Sequence, residues 1–180
     1  SFDATSVRNE KVQVLQSIHP IPAGHADNFA VRGQYGPGEA GGHKLAGYRE
    51  EAGVAPESAT ETFLAMRLLI DNWRWAEVPF YLRSGKRLAR RATEISIVFK
   101  RAPHMMFRTS GGISANVLKL RIQPDEGITL SFEAKTPGQS FHLQPVVMDF
   151  RYSEGFGVKP AEAYERLLVD CMLGEATLFD

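Results

Sequence analysis

VLKLRIQPDEGITLSFEA, residues 117–134, places two apolar runs, 117–122 and 128–134, on either side of the turn Pro124-Asp-Glu-Gly127. With its glycine placed for closure, the turn predicts an antiparallel hairpin. Strands are also predicted over 28–35, 78–82, 95–99 and 146–152. The run TFLAMRLLI, 62–70, fits both helical and buried-strand templates and is read as a strand. Helices are predicted toward the ends. SVRNEKVQVLQSI, 6–18, has Thr5 or Ser6 as N-cap and Glu10 in its first turn, and stops at Pro20 and Pro22. PAEAYERLLVDCM, 160–172, has Pro160 at its first position, Tyr164, Leu167, Leu168, Cys171 and Met172 on one face, and Gly174 as C-cap. Adjacent hairpins flanked by helices indicate an α+β fold: a large, mostly antiparallel sheet with helices packed on one side. A sheet that broad needs its second face covered by helices, another domain or a copy of itself.

At 180 residues the chain is expected to form one domain, 1–180, with one core, burying about 70% of its unfolded surface. Its 43% hydrophobic and 23% charged residues are typical of globular protein, and no apolar run approaches the ~18–20 residues of a membrane span. The single Cys171 excludes an internal disulfide framework and fits a reducing compartment, so a cytoplasmic location is expected. No secretory signal is visible. The chain starts SFDATS and stops at ATLFD within an apolar segment, and reads as a piece truncated at both ends from a longer protein.

The stretch VPFYLRSGKRLARRATE, 78–94, carries the chemistry. Arg83, Lys86, Arg87, Arg90 and Arg91 fall within nine residues of a chain with zero formal net charge. Gly85 permits the turn, Lys86 offers a point charge and Arg91 a planar fork suited to phosphate. Each charge-assisted contact contributes roughly 1.5–3 kcal/mol, enough for two or three to hold a small phosphate ester. A solvated basic turn is the competing reading. The glycine-rich segment 36–47 reads as a mobile surface loop, and its G-x-G-x-x-G at Gly36, Gly38 and Gly41 is rejected as a dinucleotide site because no helix opens there.

His19, His25, His43, His104 and His142 lack metal-site spacing and offer no general base. No Walker A loop or G-x-S-x-G appears. Trp73 and Trp75 are expected to pack in the core rather than form a ligand platform. A pI of about 7.0 and a short basic cluster without interleaved aromatics argue against nucleic acid.

Taken together, SVRNEKVQVL, VRGQYG, TETFLAMRLLIDNWRWAEVPFYLRSGKRLARRATEI, LRIQPDEGI and PAEAYERLLVDCMLGEATLF resemble, in order, the carboxy-terminal domain of the glucose-6-phosphate dehydrogenase family. The resemblance implies part of an enzyme that oxidises the anomeric carbon of glucose 6-phosphate to a lactone with NADP, in some members NAD as well, at the entry to the pentose phosphate pathway. It implies that Lys86 contacts the sugar phosphate, that Arg91 reaches its phosphate group and that Gln123 lies at the substrate. Arg83 and Arg121 match positions that hold a second, structural NADP in mammalian-type members. Ala92 and Ser96 replace basic residues of that site, which points to a bacterial-type enzyme.

The family's nucleotide-binding segment, the other half of its phosphate grip and its catalytic histidine have no counterpart in these residues. The implied role is therefore a substrate-binding and dimerisation domain. It would partner its own N-terminal nucleotide-binding domain, which holds most of the NADP, and a second copy in a homodimer or tetramer. By itself it is expected to be inactive. The alternative is a non-catalytic sheet module whose basic turn is a docking patch.

Overall fold

A computed structural model of the chain describes residues 3–40, 42–101, 114–138, 142–157 and 163–179. It divides into two units, Ser1–Arg90 with Tyr164–Asp180, and Arg91–Ala163.

In the first unit, helix α1 (Ala4–Gln16) is capped by Asp3, upstream of the Thr5 or Ser6 predicted from sequence. The Asp3 carboxylate accepts from the Ser6 amide at 2.9 Å and the Ser6 hydroxyl at 2.8 Å. A carboxylate satisfies a first-turn N–H and also complements the positive end of the helix, an advantage neither hydroxyl has. The chain leaving α1 is pinned by Ile18 bridging to Ile70, by the His19 amide to Leu69 O at 2.8 Å and by the Asp71 amide to Ser17 O at 2.7 Å. Ile70 is the buried apolar residue of this junction.

The strand predicted over 28–35 is present and shorter than read from sequence. Residues 26–29 form a single turn, α2 (Ala26–Phe29), before β1 (Ala30–Gly33) begins. Part of the glycine-rich segment, read from sequence as a loop, pairs as strands. β2 (Gly38–Ala40) pairs with β3 (His43–Leu45), and Gly42, at φ 78°, turns the chain between them. The ambiguous apolar run is a strand, β4 (Phe63–Leu68). It lies at the centre of a three-stranded antiparallel sheet between β1 and β5 (Phe80–Gly85), and a central strand is apolar on both faces.

The second unit is a four-stranded antiparallel sheet in sequential order: β6 (Thr93–Val98), β7 (Val117–Gln123), β8 (Gly127–Lys135) and β9 (Leu143–Arg151). The 117–134 hairpin is its centre. Register aligns Ile97, Leu118, Leu130 and Met148 in one cross-strand row and Ile95, Leu120, Ile128 and Phe150 in the next. Because strand side chains alternate with period two, both rows share a face, and Lys119, Arg121, Thr129 and Asp149 stand on the other. Helix α3 (Tyr152–Phe156) folds back so that Tyr152 and Phe156 both meet the Phe150 ring edge-on and meet each other at a tilt.

Helix α4 (Ala163–Leu173) covers the described part of the predicted carboxy-terminal helix; its expected start at Pro160 lies outside the described residues. Gly174 closes it with φ 69°. The predicted apolar face does not bury itself: Tyr164, Leu168 and Met172 are exposed, whereas Asp170 is 1% exposed and paired with Arg166 at 2.9 Å. The expectation of one well-filled core is likewise corrected, since among the described residues Ile70 is the apolar side chain that is buried. A single-layer sheet leaves its apolar rows half-covered, as Ile95, Ile97, Met148 and Phe150 show.

Gly127 has a role other than the turn closure read from sequence. A Cβ there would lie 2.5 Å from Phe150 O and 2.6 Å from Arg121 Nη2. The missing side chain is the gap through which Arg121 on β7 crosses β8 to reach Asp149 on β9. Gly127→Ala is therefore expected to destabilise the chain by roughly 1–3 kcal/mol in urea titrations followed by circular dichroism, because backbone and a guanidinium must both move. Gly33→Ala, with nothing within 4 Å of the added carbon, should cost less than about 0.5 kcal/mol. Equal midpoints for the two variants would refute the close-approach explanation.

Candidate functional site

Lys86 follows directly on β5, whose last residue, Gly85, pairs with Phe63 of β4. The Lys86 amide extends the ladder by donating to Thr62 O at 2.8 Å. Gly85 is pressed against its neighbours, since a Cβ would sit 2.9 Å from Phe63 Cδ2 and 3.3 Å from Leu88 Cδ2. This end of the three-stranded sheet forms an open cleft of about 470 Å³ lined by Arg32, Glu61, Thr62, Phe63, Ser84 and Lys86 among others. Its two cations differ in kind. Arg32 is neutralised by Glu61 at 3.1 Å and Asp27 at 3.5 Å. Lys86 is exposed and makes no ion pair among the described residues. An ammonium without a carboxylate, at the lip of a cleft, has its donors available for an anion.

The basic cluster is sorted the same way. Arg87 donates to Glu51 Oε1 at 2.8 Å, with its guanidinium carbon 6.0 Å from the Tyr35 ring centre. The Arg87 hydrogen bond, and after it the Tyr35 hydroxyl, hold the Glu51 carboxyl below its usual range. Partial removal from water and hydrogen bonding to Glu51 push the Tyr35 hydroxyl up. Arg83, on β5 opposite Ala65, is exposed and without an ion pair among the described residues. Glu51 escaped the sequence reading because it stands 36 residues from Arg87 and carries no local motif.

Arg91 and Gln123 belong to the second unit. Gln123 ends β7 in register with Thr93, and Arg91 precedes Thr93 by two residues, so both stand at one end of the four-stranded sheet. A register irregularity between Thr93 and Glu94 marks that end. Both side chains are exposed. Lys86 lies in the other unit, five positions earlier in sequence.

Arg121 is committed elsewhere. Its Nη2 donates to Asp149 Oδ1 at 2.8 Å, and Asp149 also accepts from Thr129 Oγ1 at 2.6 Å and Arg151 Nε at 3.1 Å. Thr129 first, then Arg151, hold the Asp149 carboxyl below its ordinary value, with the Arg121 charge adding to the effect. A phosphate at Arg121 would have to displace this carboxylate. With Ala92 and Ser96 uncharged, these residues do not fit a structural NADP. The G-x-G-x-x-G segment does not fit a pyrophosphate either, since Gly38 opens a strand where such a site needs a helix N-terminus.

The tryptophans divide. Trp75 packs edge-on against Phe80 with ring centres 5.3 Å apart, as expected, but Trp73 is fully exposed, which corrects its assignment to the core. His19 forms an exposed pair with Asp71 at 2.9 Å, and His104 lies outside the described residues. Among the described residues no group of three histidine, cysteine, aspartate or glutamate side chains is placed to hold a metal ion, and no helix is long and apolar enough to cross a membrane.

The family described as glucose-6-phosphate dehydrogenase, C-terminal domain, matches residues 1–180. Glucose-6-phosphate 1-dehydrogenase of Chlamydia pneumoniae is 48% identical over 183 residues, covering 99% of this chain and 35% of the relative. That of Aggregatibacter actinomycetemcomitans is 50% identical over 178 residues, covering 99% and 36%. A solved glucose-6-phosphate dehydrogenase in complex with its substrate glucose-6-phosphate matches with a TM-score of 0.82 at 40% identity, over 98% of this chain and 35% of that one. Glucose-6-phosphate 1-dehydrogenase from Mycobacterium avium matches with a TM-score of 0.78 at 32% identity. The chain thus spans about a third of the length of these relatives.

The Asp149 network sets an acid limit on stability. A carboxyl whose folded pKa is depressed stabilises the fold above its unfolded value, and that contribution is lost as pH falls through the folded value. For Asp149 the loss begins below its ordinary 3.8. Asp149→Asn is expected to lower the urea midpoint at pH 7 and to flatten its decline in the acid range below about pH 4. Parallel midpoint curves for parent and variant would show that the network carries no linkage.

Proposed function

The chain belongs to the glucose-6-phosphate dehydrogenase C-terminal domain family, and on that premise we propose that it forms one wall of the glucose 6-phosphate site of an NADP-dependent dehydrogenase. The reaction is oxidation of the sugar at C1 to the lactone in the cytoplasm. Lys86 and Arg91 hold the phosphate and Gln123 contacts the sugar. NADP is held mainly by a nucleotide-binding domain N-terminal to this one, and no step of hydride transfer is assigned to residues of this chain.

The observation that carries the proposal is the Lys86 ammonium, exposed, without a counterion among the described residues, and lodged on the sheet end that opens the cleft. Its support in kind is the solved relative that contains glucose-6-phosphate. The apolar rows of the four-stranded sheet support a second role, pairing of subunits into a dimer or tetramer. Ile95, Ile97, Met148 and Phe150 are between 40% and 60% exposed on one face, and burying such a face against its copy is favourable at roughly 25 cal/mol per Å².

In the full-length enzyme, Lys86→Ala is expected to lower kcat/KM for glucose 6-phosphate by about 10- to 100-fold, the equivalent of one charge-assisted contact, and to leave the KM for NADP within about twofold. Steady-state kinetics with each substrate varied checks both halves, and an unchanged kcat/KM for the sugar phosphate would remove Lys86 from the site. The 180-residue chain by itself is expected to reduce no NADP.

A further inference from the structure

The backbone on either side of Lys86 is fixed, and the two sides are fixed differently. On the amino side the β4–β5 ladder and the Lys86 amide to Thr62 O bond hold it. On the carboxyl side Arg87 sits at φ 54°, a left-handed conformation that a residue with a side chain adopts only when its surroundings impose it. If Arg87 relaxed to negative φ, the peptide joining it to Lys86 would rotate and the lysine side chain would swing with it.

The Arg87 guanidinium reaches back to Glu51 at 2.8 Å. Glu51 is itself braced, because it follows a 3-10 turn, Tyr48–Glu50, tied down twice. The Gly47 amide donates to Glu50 Oε2 at 2.9 Å, and the Tyr48 amide to Tyr35 O at 3.0 Å. The Tyr35 and Tyr48 rings meet edge-on at 5.7 Å. The Arg87–Glu51 pair is about half solvent-exposed, with side chains 47% and 32% accessible, and such a pair contributes little to global stability. Its effect is local.

We propose that Glu51 is a positioning residue: by anchoring Arg87 it holds the turn after β5 in the conformation that aims the Lys86 ammonium at the substrate phosphate. The inference rests on the assignment of Lys86 to the sugar phosphate. It is separable from a simple charge effect by sign. Removing an anion near a phosphate site strengthens phosphate binding through electrostatics, whereas loss of an anchor weakens it.

The test is a double-mutant cycle in the full-length dehydrogenase with Glu51→Gln, Lys86→Ala and the two combined, measuring KM for glucose 6-phosphate and for NADP. Glu51→Gln is expected to raise the sugar-phosphate KM about 5- to 10-fold and leave that for NADP within about twofold. Added to Lys86→Ala it should change the sugar-phosphate KM less than about twofold, because its effect runs through a lysine no longer present. Arg87→Gly, which accepts the backbone conformation without the anchor, should reproduce the Glu51→Gln increase, and Glu51→Asp should recover part of it. A KM unchanged or lowered by Glu51→Gln while Lys86→Ala raises it, or fully additive effects, would overturn the proposal. A Lys86→Ala enzyme with unaltered kinetics would instead overturn the assignment of Lys86 on which it stands.

Discussion

Period-two alternation across the paired strands β6 to β9 is the constraint on which the second unit depends. Each side chain must fall on the apolar rows or on the charged face, and a slip of one residue would exchange the two. Arg121 and Asp149 would then stand among the apolar rows, outside the register in which they pair. Nine register pairs join β8 to β9, so the register is heavily determined where Gly127 opens the passage for Arg121. The same register brings Gln123 opposite Thr93, and with it Arg91 to one sheet end. The candidate ligand residues of this unit are thus a by-product of how the strands align.

In both units the carboxylates decide what each cation does. Asp27 and Glu61 hold Arg32, Glu51 holds Arg87, and Asp149 holds Arg121 and Arg151. Exposed pairs of this sort contribute about 0–1 kcal/mol each to stability, too little to explain the fold. What they do is fix geometry and cancel charge at chosen positions. Lys86 and Arg91, the residues proposed to hold phosphate, are among those left without such a carboxylate in the described residues.

The sequence was legible where structure is local. The 117–134 hairpin needs only two apolar runs and a turn, and the basic turn after β5 is visible as composition. Boundaries and partners were hidden wherever a distant group intervened. Asp3 outcompetes Ser6 as cap through charge on the helix end, and the glycine-rich segment becomes a hairpin because β2 finds β3 across Gly42. Glu51 is paired across 36 residues of chain, and Arg121 across a neighbouring strand. Gly127 looked like a turn residue because its spatial role depends on β9. The proposal of Lys86, Arg91 and Gln123 as site residues rests on the family resemblance, since no spacing rule distinguishes an anion-binding lysine from a solvated one.

The two indoles in DNWRWAEVPF provide a pair of built-in optical reporters. Trp73 is bathed in solvent, so its emission is red-shifted and open to quenching by iodide. Trp75, stacked edge-on against the ring that begins β5, emits from a partly shielded setting. Collisional quenching therefore separates the two signals without labels. The protected fraction follows the integrity of the very strand whose far end carries Lys86.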